Sequence, residues 1–565
     1  MTISNAQQMW IEFDQRVPMR DGITLSADIY CPADAAERGV KKYPVILMRT
    51  PYVKANAAVV GLARYYTERG YIFISMDVRG RGDADGEFVP YVNDGLDGYD
   101  AIEWCASQAW SDGNIGSMGS SYPGCIQWLT ALHRPPHLRA MIVRVTPSDP
   151  FVETPTGVHS PMHLCWLHLV SGRTNQVMEA IDWEHVYEHL PLLTMDERAG
   201  RFNRHWRNDL AHPQLDEYWE PLCYQTKFGQ VDVPVLHISG WYDDEQVGTP
   251  LNYIGMTNRA ATPAARQSQR LLMGPWGHAV NTVTKLGEVE FGSQALIDLR
   301  AEEMRWFDRW LKGAASSASS ENEKKDAPVR IFVMGTNEWR DEQEWSLART
   351  QWIPYYLHSA GRANSRFGDG SLSNKPAADE QADSYRYDPA RPVPFITDAT
   401  SSQIGGPDDY AAIERRDDVL VYVTEPLSED TEVTGPIRVD LCASSSAPDT
   451  DFMAKLVDIW PTGFAQRITD GMVRARFREG MDRPALIEPG KIYHYTIDCW
   501  NTAQVFKAGH RIGLEISSSA FPKYDRNLNT GAPLGVTTEL AVAEQRIYHD
   551  AEHPSAVVLP IVPRS

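Results

Sequence analysis

The sequence predicts an α/β fold in its first half and a β-rich domain in its second half. Short apolar runs such as YPVILMRTPY, YIFISMDVRG and VPVLHISGWYDD recur without alternating polar residues, and helix-like stretches such as GYDAIEWCASQAW separate several of them. Such runs are typical of strands buried on both faces, and interleaved helices indicate a parallel sheet of βαβ units. From Pro328 onward, short β-rich segments follow one another without helices, which predicts a β-sandwich or jelly roll.

Each part of this organisation has its own signal. The segment WIEFDQRVPMRDGITLSADIYCP alternates apolar and polar residues on both sides of Arg20-Asp21-Gly22, which predicts a β-hairpin. Between residues 149 and 230 the strand pattern stops, and a stretch dense in His, Trp and Leu with helical periodicity predicts an inserted cap. The helix EEMRWFDRWLKG follows the last core strand, and the small and charged segment AASSASSENEKKDA predicts a linker.

These signals divide the chain. We predict a core formed by residues 1–148 and 231–313, a cap at 149–230, a linker at 314–327 and a β-sandwich domain at 328–565.

Composition and charge exclude several classes of protein. The 565 residues carry 54 Lys and Arg against 75 Asp and Glu, a net charge of −21, which opposes binding to nucleic acid or anionic lipid. No apolar run approaches the roughly 18 residues of a membrane-spanning helix. The N-terminal segment has no basic region followed by an apolar stretch, so a cytoplasmic location is expected. The seven cysteines lack Cys-x-x-Cys spacing and are expected to be reduced and mostly buried.

The strongest local signal for chemistry is GNIGSMGSSYPG, residues 113–124, followed by the apolar helix CIQWLTAL. It resembles a nucleophile elbow, in which a serine occupies a strained turn between a strand and a helix. Among its serines, Ser121 has glycine two residues before it. Pro123 stands where the strict G-x-S-x-G pattern has its second glycine, and Gly124 follows one residue later. The alternative is an ordinary Gly-Ser-rich turn.

A serine nucleophile needs a histidine base and an acid that orients it, and α/β-hydrolases carry them in the order Ser, acid, His. Asp243 follows the predicted strand VPVLHIS, with Asp244 and Glu245 as rivals for the acid role. His278 follows another strand, in the loop GPWGH. The alternatives are a surface turn acid and a loop-capping histidine.

Acyl transfer also needs hydrogen-bond donors directed at the developing oxyanion. Tyr52, in RTPY directly after the strand PVILM, and the backbone N–H of Tyr122 are the natural pair. The alternative is that Tyr52 only packs. No H-E-x-x-H motif, Walker loop or Rossmann fingerprint occurs, so neither a metal nor an organic cofactor is expected.

The segments RTPY, DVRGRGDADGEF, DGYDAIEW, GSSYPG, GWYDD and GPWGH together resemble the cocaine esterase and X-prolyl dipeptidyl-peptidase family of serine hydrolases. Later segments such as FKAGHRIGLEISSSAFPKYDRN resemble that family's C-terminal non-catalytic jelly-roll domain. The resemblance implies an α/β-hydrolase core with Ser121 as nucleophile, Asp243 as acid, His278 as base, and Tyr52 with Tyr122 as oxyanion hole. The family's own elbow is G-x-S-Y-x-G, which accounts for Pro123.

The same family includes α-amino acid ester hydrolases, in which acids beside the catalytic aspartate hold the substrate ammonium. Here Asp244 and Glu245 stand in such positions, while Gln246 occupies a position where another acid is expected. The predicted cap offers aromatic residues for an acyl pocket, namely Trp166, Trp183, Trp206, Trp219 and Phe151.

We therefore predict an enzyme that cleaves an ester or amide of a small or aromatic acyl group through an acyl-enzyme. An X-Pro dipeptidyl-peptidase and an α-amino acid ester hydrolase are the alternatives within this class, and a carbohydrate-binding protein without catalysis is the alternative outside it. The expected partner is a small-molecule substrate, and a homo-oligomer is compatible with the sequence.

Overall fold

The structure, a computed structural model, describes residues 9–36, 41–149, 158–313, 327–376, 378–400 and 403–563. The first part alternates strands and helices: β1 (Trp10–Pro18), β2 (Thr24–Cys31), β3 (Tyr43–Thr50), α1 (Ala57–Thr67), β4 (Ile72–Asp77), α2 (Asp94–Ser107), β5 (Ser111–Ser120), α3 (Tyr122–Leu132) and β6 (Leu138–Arg144). A helical segment follows, with α4 (His163–Leu169), α5 (Trp183–Tyr187), α6 (Met195–Arg198) and α7 (Arg204–Ala211). The chain then forms β7 (Val235–Gly240), α8 (Gly248–Arg259), α9 (Pro263–Arg266), β8 (Gln269–Gly274), β9 (Lys285–Leu286), β10 (Val289–Glu290) and α10 (Leu299–Leu311).

The remaining described elements are strands joined by loops and short 3-10 turns. They are β11 (Val329–Val333), β12 (Glu338–Glu342), β13 (Gln351–His358), β14 (Ser371–Ser373), β15 (Asp383–Tyr387), β16 (Leu420–Val423), β17 (Thr431–Ser445), β18 (Asp451–Ile459), β19 (Ala465–Arg474), β20 (Tyr493–Phe506), β21 (Arg511–Ser517), β22 (Ala543–Tyr548) and β23 (Ala556–Val562).

In the described part of the chain, ten strands form one sheet in the order β1-β2-β4-β3-β5-β6-β7-β8-β11-β12. From β4 to β11 in this order, each strand is parallel to the next, whereas β2 and β12 pair antiparallel at the two ends of this parallel block. Consecutive residues of β3 enter two different cores, Val45 on the face covered by α2 and α3, and Ile46 on the face covered by α1 and α10. The sheet is therefore buried on both faces, as its apolar runs predict.

The predicted N-terminal hairpin is confirmed. Strands β1 and β2 pair antiparallel from Trp10 opposite Cys31 to Pro18 opposite Thr24. Gly22 lies in the turn with a φ of +87°. Glycine adopts this conformation without the steric cost that a Cβ would impose.

The segment between β6 and β7 is helical and has a hydrophobic core of its own. Met162, Leu164 and Leu167 pack there against Trp183 and Trp206. It leaves the sheet at the carboxyl end of β6 and returns to the amino end of β7, so it is a helical insertion between two parallel neighbouring strands.

The structure places the first strands after the predicted linker differently from the sequence analysis. Of the linker, residues 314–326 lie outside the described chain. Strands β11 and β12, assigned by sequence to the β-sandwich, instead extend the first sheet, with β11 parallel to β8 and β12 antiparallel to β11. Apolar alternation identifies a strand but does not identify its partner, and pairing here covers the edge of β8.

The other C-terminal strands form a second sheet with the order β15-β22-β17-β23-β13-β14-β16-β21-β18-β19, and β20 pairs with β17. Their buried side chains make a separate core, for example Leu441, Phe452 and Leu514. The C-terminal region is thus a β-rich domain, and its assignment as a jelly roll stays a prediction. All seven cysteines are buried and form no disulfide, which confirms the expectation from their spacing.

Candidate active site

Ser121 occupies the turn between β5 and α3. Its backbone has a φ of 61° and a ψ of −130°, a strained combination for a residue with a side chain. Its N–H donates to the carbonyl oxygens of Arg144 and Val145, both at 3.0 Å, and its own carbonyl accepts from Gly124 at 2.7 Å. These bonds hold the strained turn, and the geometry is that of a nucleophile elbow.

Two glycines allow close packing at the elbow. A Cβ on Gly119 would lie 2.4 Å from the Pro123 carbonyl oxygen, and a Cβ on Gly124 would lie 2.0 Å from Thr146 Oγ1. The small residue that follows the serine is therefore needed three positions later, at Gly124. Proline at position 123 fits because it stands in the first turn of α3, where its missing N–H costs no hydrogen bond.

Asp243 and His278 follow β7 and β8, which are parallel neighbours, so their loops meet at one edge of the sheet. Asp243 Oδ1 lies 2.9 Å from His278 Nδ1. The buried carboxylate also accepts from the Ser239 hydroxyl at 2.6 Å and from the Glu245 N–H at 3.2 Å. Close packing of the two loops depends on Gly240, where a Cβ would lie 2.0 Å from the Trp276 carbonyl oxygen.

The rival acids lie beside this pair. Asp244 Oδ1 is 3.7 Å from His278 Nδ1, beyond hydrogen-bond distance. Burial raises the pKa of Asp244 to about 6; the nearby His278 opposes this shift and the Asp243 carboxylate adds to it. Glu245 Oε1 accepts a long hydrogen bond of 3.5 Å from the Ser121 hydroxyl. Of the three acids, Asp243 has the geometry that orients His278.

Tyr52 and Tyr122 are held by different contacts. The Tyr52 hydroxyl accepts from Trp166 Nε1 at 2.9 Å. Among the described side chains, Trp166 lines the cavity at Ser121 whereas Tyr52 does not. The Tyr122 side chain is buried, its hydroxyl donating to Asp94 and accepting from the Tyr91 N–H at 3.0 Å. The Tyr122 backbone N–H belongs to the first turn of α3, where N–H groups have no acceptor within the helix.

A cavity of about 170 Å³ brings the sequence-predicted residues together. Ser121 and His278 line it, and so do Trp166, Asp244 and Glu245. Most of the remaining wall is apolar or aromatic, and it comes from the core, the helical insertion and the C-terminal domain: Val89, Tyr91, Val158, Met162, Leu167, Tyr218, Trp219, Leu222, Ile404 and Trp500.

Two of the predicted pocket tryptophans do not reach the cavity. Trp166 and Trp219 line it, but Trp183 and Trp206 are core residues of the helical insertion. Their indole N–H groups donate to the carbonyl oxygens of Met178 at 2.8 Å and Leu192 at 3.0 Å. An insertion of this size needs large apolar side chains to form its own core, and Trp183 and Trp206 fill that role. Phe151 lies outside the described residues.

A polar group on the insertion side of the cavity was not predicted from the sequence. Asp209 of α7 lines the wall, accepts from the Tyr218 hydroxyl at 2.9 Å and lies 3.9 Å from His163 Nε2. Burial, with His205 nearby, lowers the pKa of His163 to about 4, so this imidazole is neutral at pH 7. Only the packing of α4 against α7 brings these residues to the site, and no local pattern marks them.

Lys523 was also missed. It comes from the C-terminal domain, lines the cavity and lies 4.8 Å from the ring centroid of Trp500. Its ammonium group donates to Asp470. Burial lowers the pKa of Lys523 to about 8, and Asp470 opposes that shift.

Gln246 does not line the cavity, and its amide joins two parts of the backbone. Its side-chain N–H groups donate to the carbonyl oxygens of Trp241 at 3.1 Å and Asn501 at 2.7 Å, and its carbonyl accepts from the Asn501 N–H at 3.2 Å. The amide thus joins the loop that carries Asp243 to β20. A carboxylate could not donate these bonds, which explains glutamine at this position.

Among the described residues, one group of three side chains is close enough to hold a metal ion, namely Asp243, Asp244 and His278. These are the same atoms that form the acid–histidine pair. No helix in the described ranges has the length and apolarity needed to cross a membrane.

Comparisons with known proteins show the family of this chain. The family model of X-Pro dipeptidyl-peptidase (S15 family) matches residues 21–280, and that of the X-Pro dipeptidyl-peptidase C-terminal non-catalytic domain matches residues 322–558. Cocaine esterase of Rhodococcus sp. is 37% identical, over 97% of this chain and 98% of its own.

Two solved structures resemble the whole chain. An aminopeptidase from a marine sediment Thaumarchaeota archaeon has a TM-score of 0.85 at 25% identity and covers 99% of this chain and 96% of its own. An α-amino acid ester hydrolase has a TM-score of 0.84 at 25% identity and covers 99% and 98%. The fold is thus an α/β-hydrolase core followed by a β-rich domain, and the protein is a serine hydrolase acting on ester or amide bonds. The chain belongs to the S15 family of serine hydrolases, with cocaine esterase and the X-Pro dipeptidyl-peptidases.

Proposed function

We propose that the enzyme hydrolyses esters through Ser121, with His278 as general base and Asp243 as the acid that orients it. The observation that carries the proposal is the elbow backbone of Ser121 in the same cavity as a histidine held 2.9 Å from a buried aspartate. The carboxylate accepts from Nδ1–H, which leaves Nε2 as the basic nitrogen.

In the first half-reaction, Ser121 Oγ bonds to the substrate carbonyl carbon while His278 Nε2 takes the hydroxyl proton. This requires the Ser121 hydroxyl to rotate from Glu245 towards the imidazole. The Tyr52 hydroxyl and the Tyr122 N–H donate to the oxyanion of the tetrahedral intermediate. The intermediate then expels the alcohol, which receives the proton from His278 and leaves an acyl-Ser121 ester.

In the second half-reaction, His278 takes a proton from water and the hydroxide oxygen bonds to the acyl carbon. The second tetrahedral intermediate collapses with cleavage of the bond between the acyl carbon and Ser121 Oγ, and this oxygen receives the proton from His278. The carboxylic acid leaves, and no metal or organic cofactor takes part in either half-reaction.

The cavity wall suggests the class of substrate. Its aromatic and apolar side chains suit an aromatic or small acyl group, and Asp209, Asp244 and Glu245 suit a protonated amine elsewhere in the substrate. The relative with 37% identity is named cocaine esterase. We therefore propose an amine-bearing ester of an aromatic or small carboxylic acid as the substrate.

The acids also support a second candidate, the hydrolysis of an ester or amide of an α-amino acid or an X-Pro dipeptide. The similar solved structure is named α-amino acid ester hydrolase, and the matching family model is named X-Pro dipeptidyl-peptidase. A peptidase of this kind must bind a free N-terminal ammonium group, so blocking that amine should abolish its activity.

The first test measures initial rates on p-nitrophenyl benzoate and on Gly-Pro-p-nitroanilide. Ser121→Ala is the background, and Ser107→Ala, at the exposed end of α2, is the matched control. We expect ester hydrolysis that disappears in Ser121→Ala and persists in Ser107→Ala. Release from the anilide at a comparable rate would replace the esterase proposal by the dipeptidyl-peptidase, and undiminished turnover by pure Ser121→Ala would contradict both.

The second test addresses the amine. Benzoylcholine and 3,3-dimethylbutyl benzoate have the same shape and differ in one positive charge. We expect Asp209→Asn to lower kcat/KM for the charged ester about tenfold, equivalent to about 1.4 kcal/mol, and to leave the neutral ester within about twofold. Equal losses on both esters would contradict recognition of the charge.

We also propose that the enzyme works in the cytoplasm on a small molecule and binds neither nucleic acid nor membrane. The seven buried thiols and the net charge of −21 support this. Cell fractionation with an antibody tests the location, and light scattering tests whether the chain forms a homo-oligomer.

A further inference from the structure

One side chain of the C-terminal domain contacts both loops that carry the acid and the base. The carboxamide oxygen of Gln403 accepts from the His278 backbone N–H at 3.0 Å. The carboxamide nitrogen donates to the Tyr242 carbonyl oxygen at 2.9 Å and to the Gly405 carbonyl oxygen at 2.6 Å. Because Tyr242 directly precedes Asp243, a single planar amide joins the backbone at the base to the backbone at the acid.

The fit between this amide and the histidine loop is close. A Cβ on Gly277 would lie 1.9 Å from Gln403 Oε1, so the second glycine of GPWGH leaves room for the contact. The glutamine is itself anchored, since the Thr397 hydroxyl donates to its backbone carbonyl at 3.0 Å. The next residue, Ile404, packs against cores of both the helical insertion and the C-terminal domain and lines the cavity.

Other hydrogen bonds hold the loop that carries Asp243 to the C-terminal domain. The Tyr242 hydroxyl donates to the Arg467 carbonyl oxygen at 3.2 Å, and the Gln246 amide joins the backbone of Asn501. The contact of Gln403 differs from these because it reaches both loops. Removing it would leave each loop in place through its own anchors while freeing the position of one relative to the other.

We propose that Gln403 is a positioning residue that fixes the backbone of His278 relative to that of Asp243. The inference rests on the proposed roles of these two residues. It gives the C-terminal domain a part in the rate of hydrolysis, although the matching family model describes that domain as non-catalytic. Displacement of a catalytic group by about 1 Å can lower the rate about a hundredfold.

The test compares Gln403→Met, Gln403→Glu and Gln545→Met. Methionine keeps the length of the side chain and removes all three hydrogen bonds, while glutamate keeps the acceptor for the His278 N–H and loses both donors. Gln545 is the matched control, a buried amide of the same domain that donates to Thr450 Oγ1 at 2.6 Å and Ser518 Oγ at 3.2 Å.

The readouts are kcat per active site titrated with a fluorophosphonate, KM, and Tm. For Gln403→Met we expect kcat per titrated site to fall about 30- to 100-fold, with KM changed less than about threefold. Gln403→Glu is also expected to lower kcat, because its carboxylate oxygen faces the carbonyl oxygens of Tyr242 and Gly405 without a proton to donate, whereas Gln545→Met should lose thermal stability without loss of kcat. If Gln403→Met does not fold, kcat per titrated site of Gln403→Glu tests the proposal in its place.

Two results would overturn the inference: kcat per site within twofold of wild type in Gln403→Met, or an equal fall of kcat in Gln545→Met. Failure of the proposed function has a different signature. In that case the wild-type protein would be neither labelled at Ser121 nor active on esters.

Discussion

The indole N–H of Trp166 donates a hydrogen bond to the Tyr52 hydroxyl at 2.9 Å, and this contact joins the helical insertion to the loop after β3. Trp166 also stacks on the ring of Tyr122, with centroids 5.7 Å apart. One side chain of the insertion therefore contacts both residues of the proposed oxyanion hole. Since Trp166 lines the cavity as well, the proposed substrate pocket and the proposed oxyanion hole share a residue.

Tyr52→Phe should lower kcat about 100- to 1,000-fold with little change in KM. The substitution removes one oxyanion donor, whose contribution appears only when charge develops on the oxygen. Steady-state kinetics on p-nitrophenyl benzoate measure it. A KM increase at unchanged kcat would instead assign Tyr52 to substrate binding.

Trp166→Phe should have a smaller effect on kcat, up to about tenfold, because the tyrosine hydroxyl remains but loses the bond that orients it. Trp183→Phe is the control, since it removes an indole bond to a backbone carbonyl within the insertion core. We expect the control to lower Tm and leave kcat per titrated site unchanged. Equal kcat in Trp166→Phe and wild type would remove the orienting role.

Asp244→Asn should move the acidic limb of the kcat/KM profile to lower pH. A carboxylate 3.7 Å from His278 Nδ1 favours the charged imidazolium, so its removal lowers the pKa of the base. Activity requires neutral His278, and the variant therefore becomes active at lower pH. Profiles of kcat/KM measured between about pH 4 and 9 test this shift, and an acidic limb that moves to higher pH would contradict it.

The same substitution should stabilise the protein at high pH. Burial raises the pKa of Asp244 to about 6, above the unfolded value of about 3.9. The folded state thus holds the proton more strongly, and the stability from this group is present below about pH 4 and lost as pH rises through 6. Asparagine avoids that loss, so the gain in Tm should be larger at pH 8 than at pH 4.5.

Gly119→Ala should prevent correct folding of the elbow. The added Cβ would lie 2.4 Å from a backbone oxygen of Pro123, a contact that no side-chain movement relieves. Gly61→Ala is the matched control, because a Cβ there meets nothing within 4 Å and α1 gains helix propensity. We expect the first variant to lose activity and much of its stability, and the second to unfold at a slightly higher denaturant concentration.

Much of the fold could be read from local pattern. The hairpin at Gly22, the buried strands before Ser121, Asp243 and His278, and the helix after β8 were all predicted within a few residues. These features depend on apolar periodicity and turn chemistry, which act over short stretches of chain. The pairing of β11 with β8 was not predicted, because strand partners are chosen across long sequence separations.

Local sequence patterns specify the order of strands and helices, the elbow glycines and the loops that carry Ser121, Asp243 and His278. Short-range sterics and the meeting of parallel strand ends at one edge suffice for these. Tertiary packing sets which tryptophans line the cavity, and it brings Asp209, Lys523 and Gln403 to the site. Which side chains reach the cavity depends on contacts between elements that are far apart in the chain. Packing geometry sets these contacts, and no local pattern encodes it.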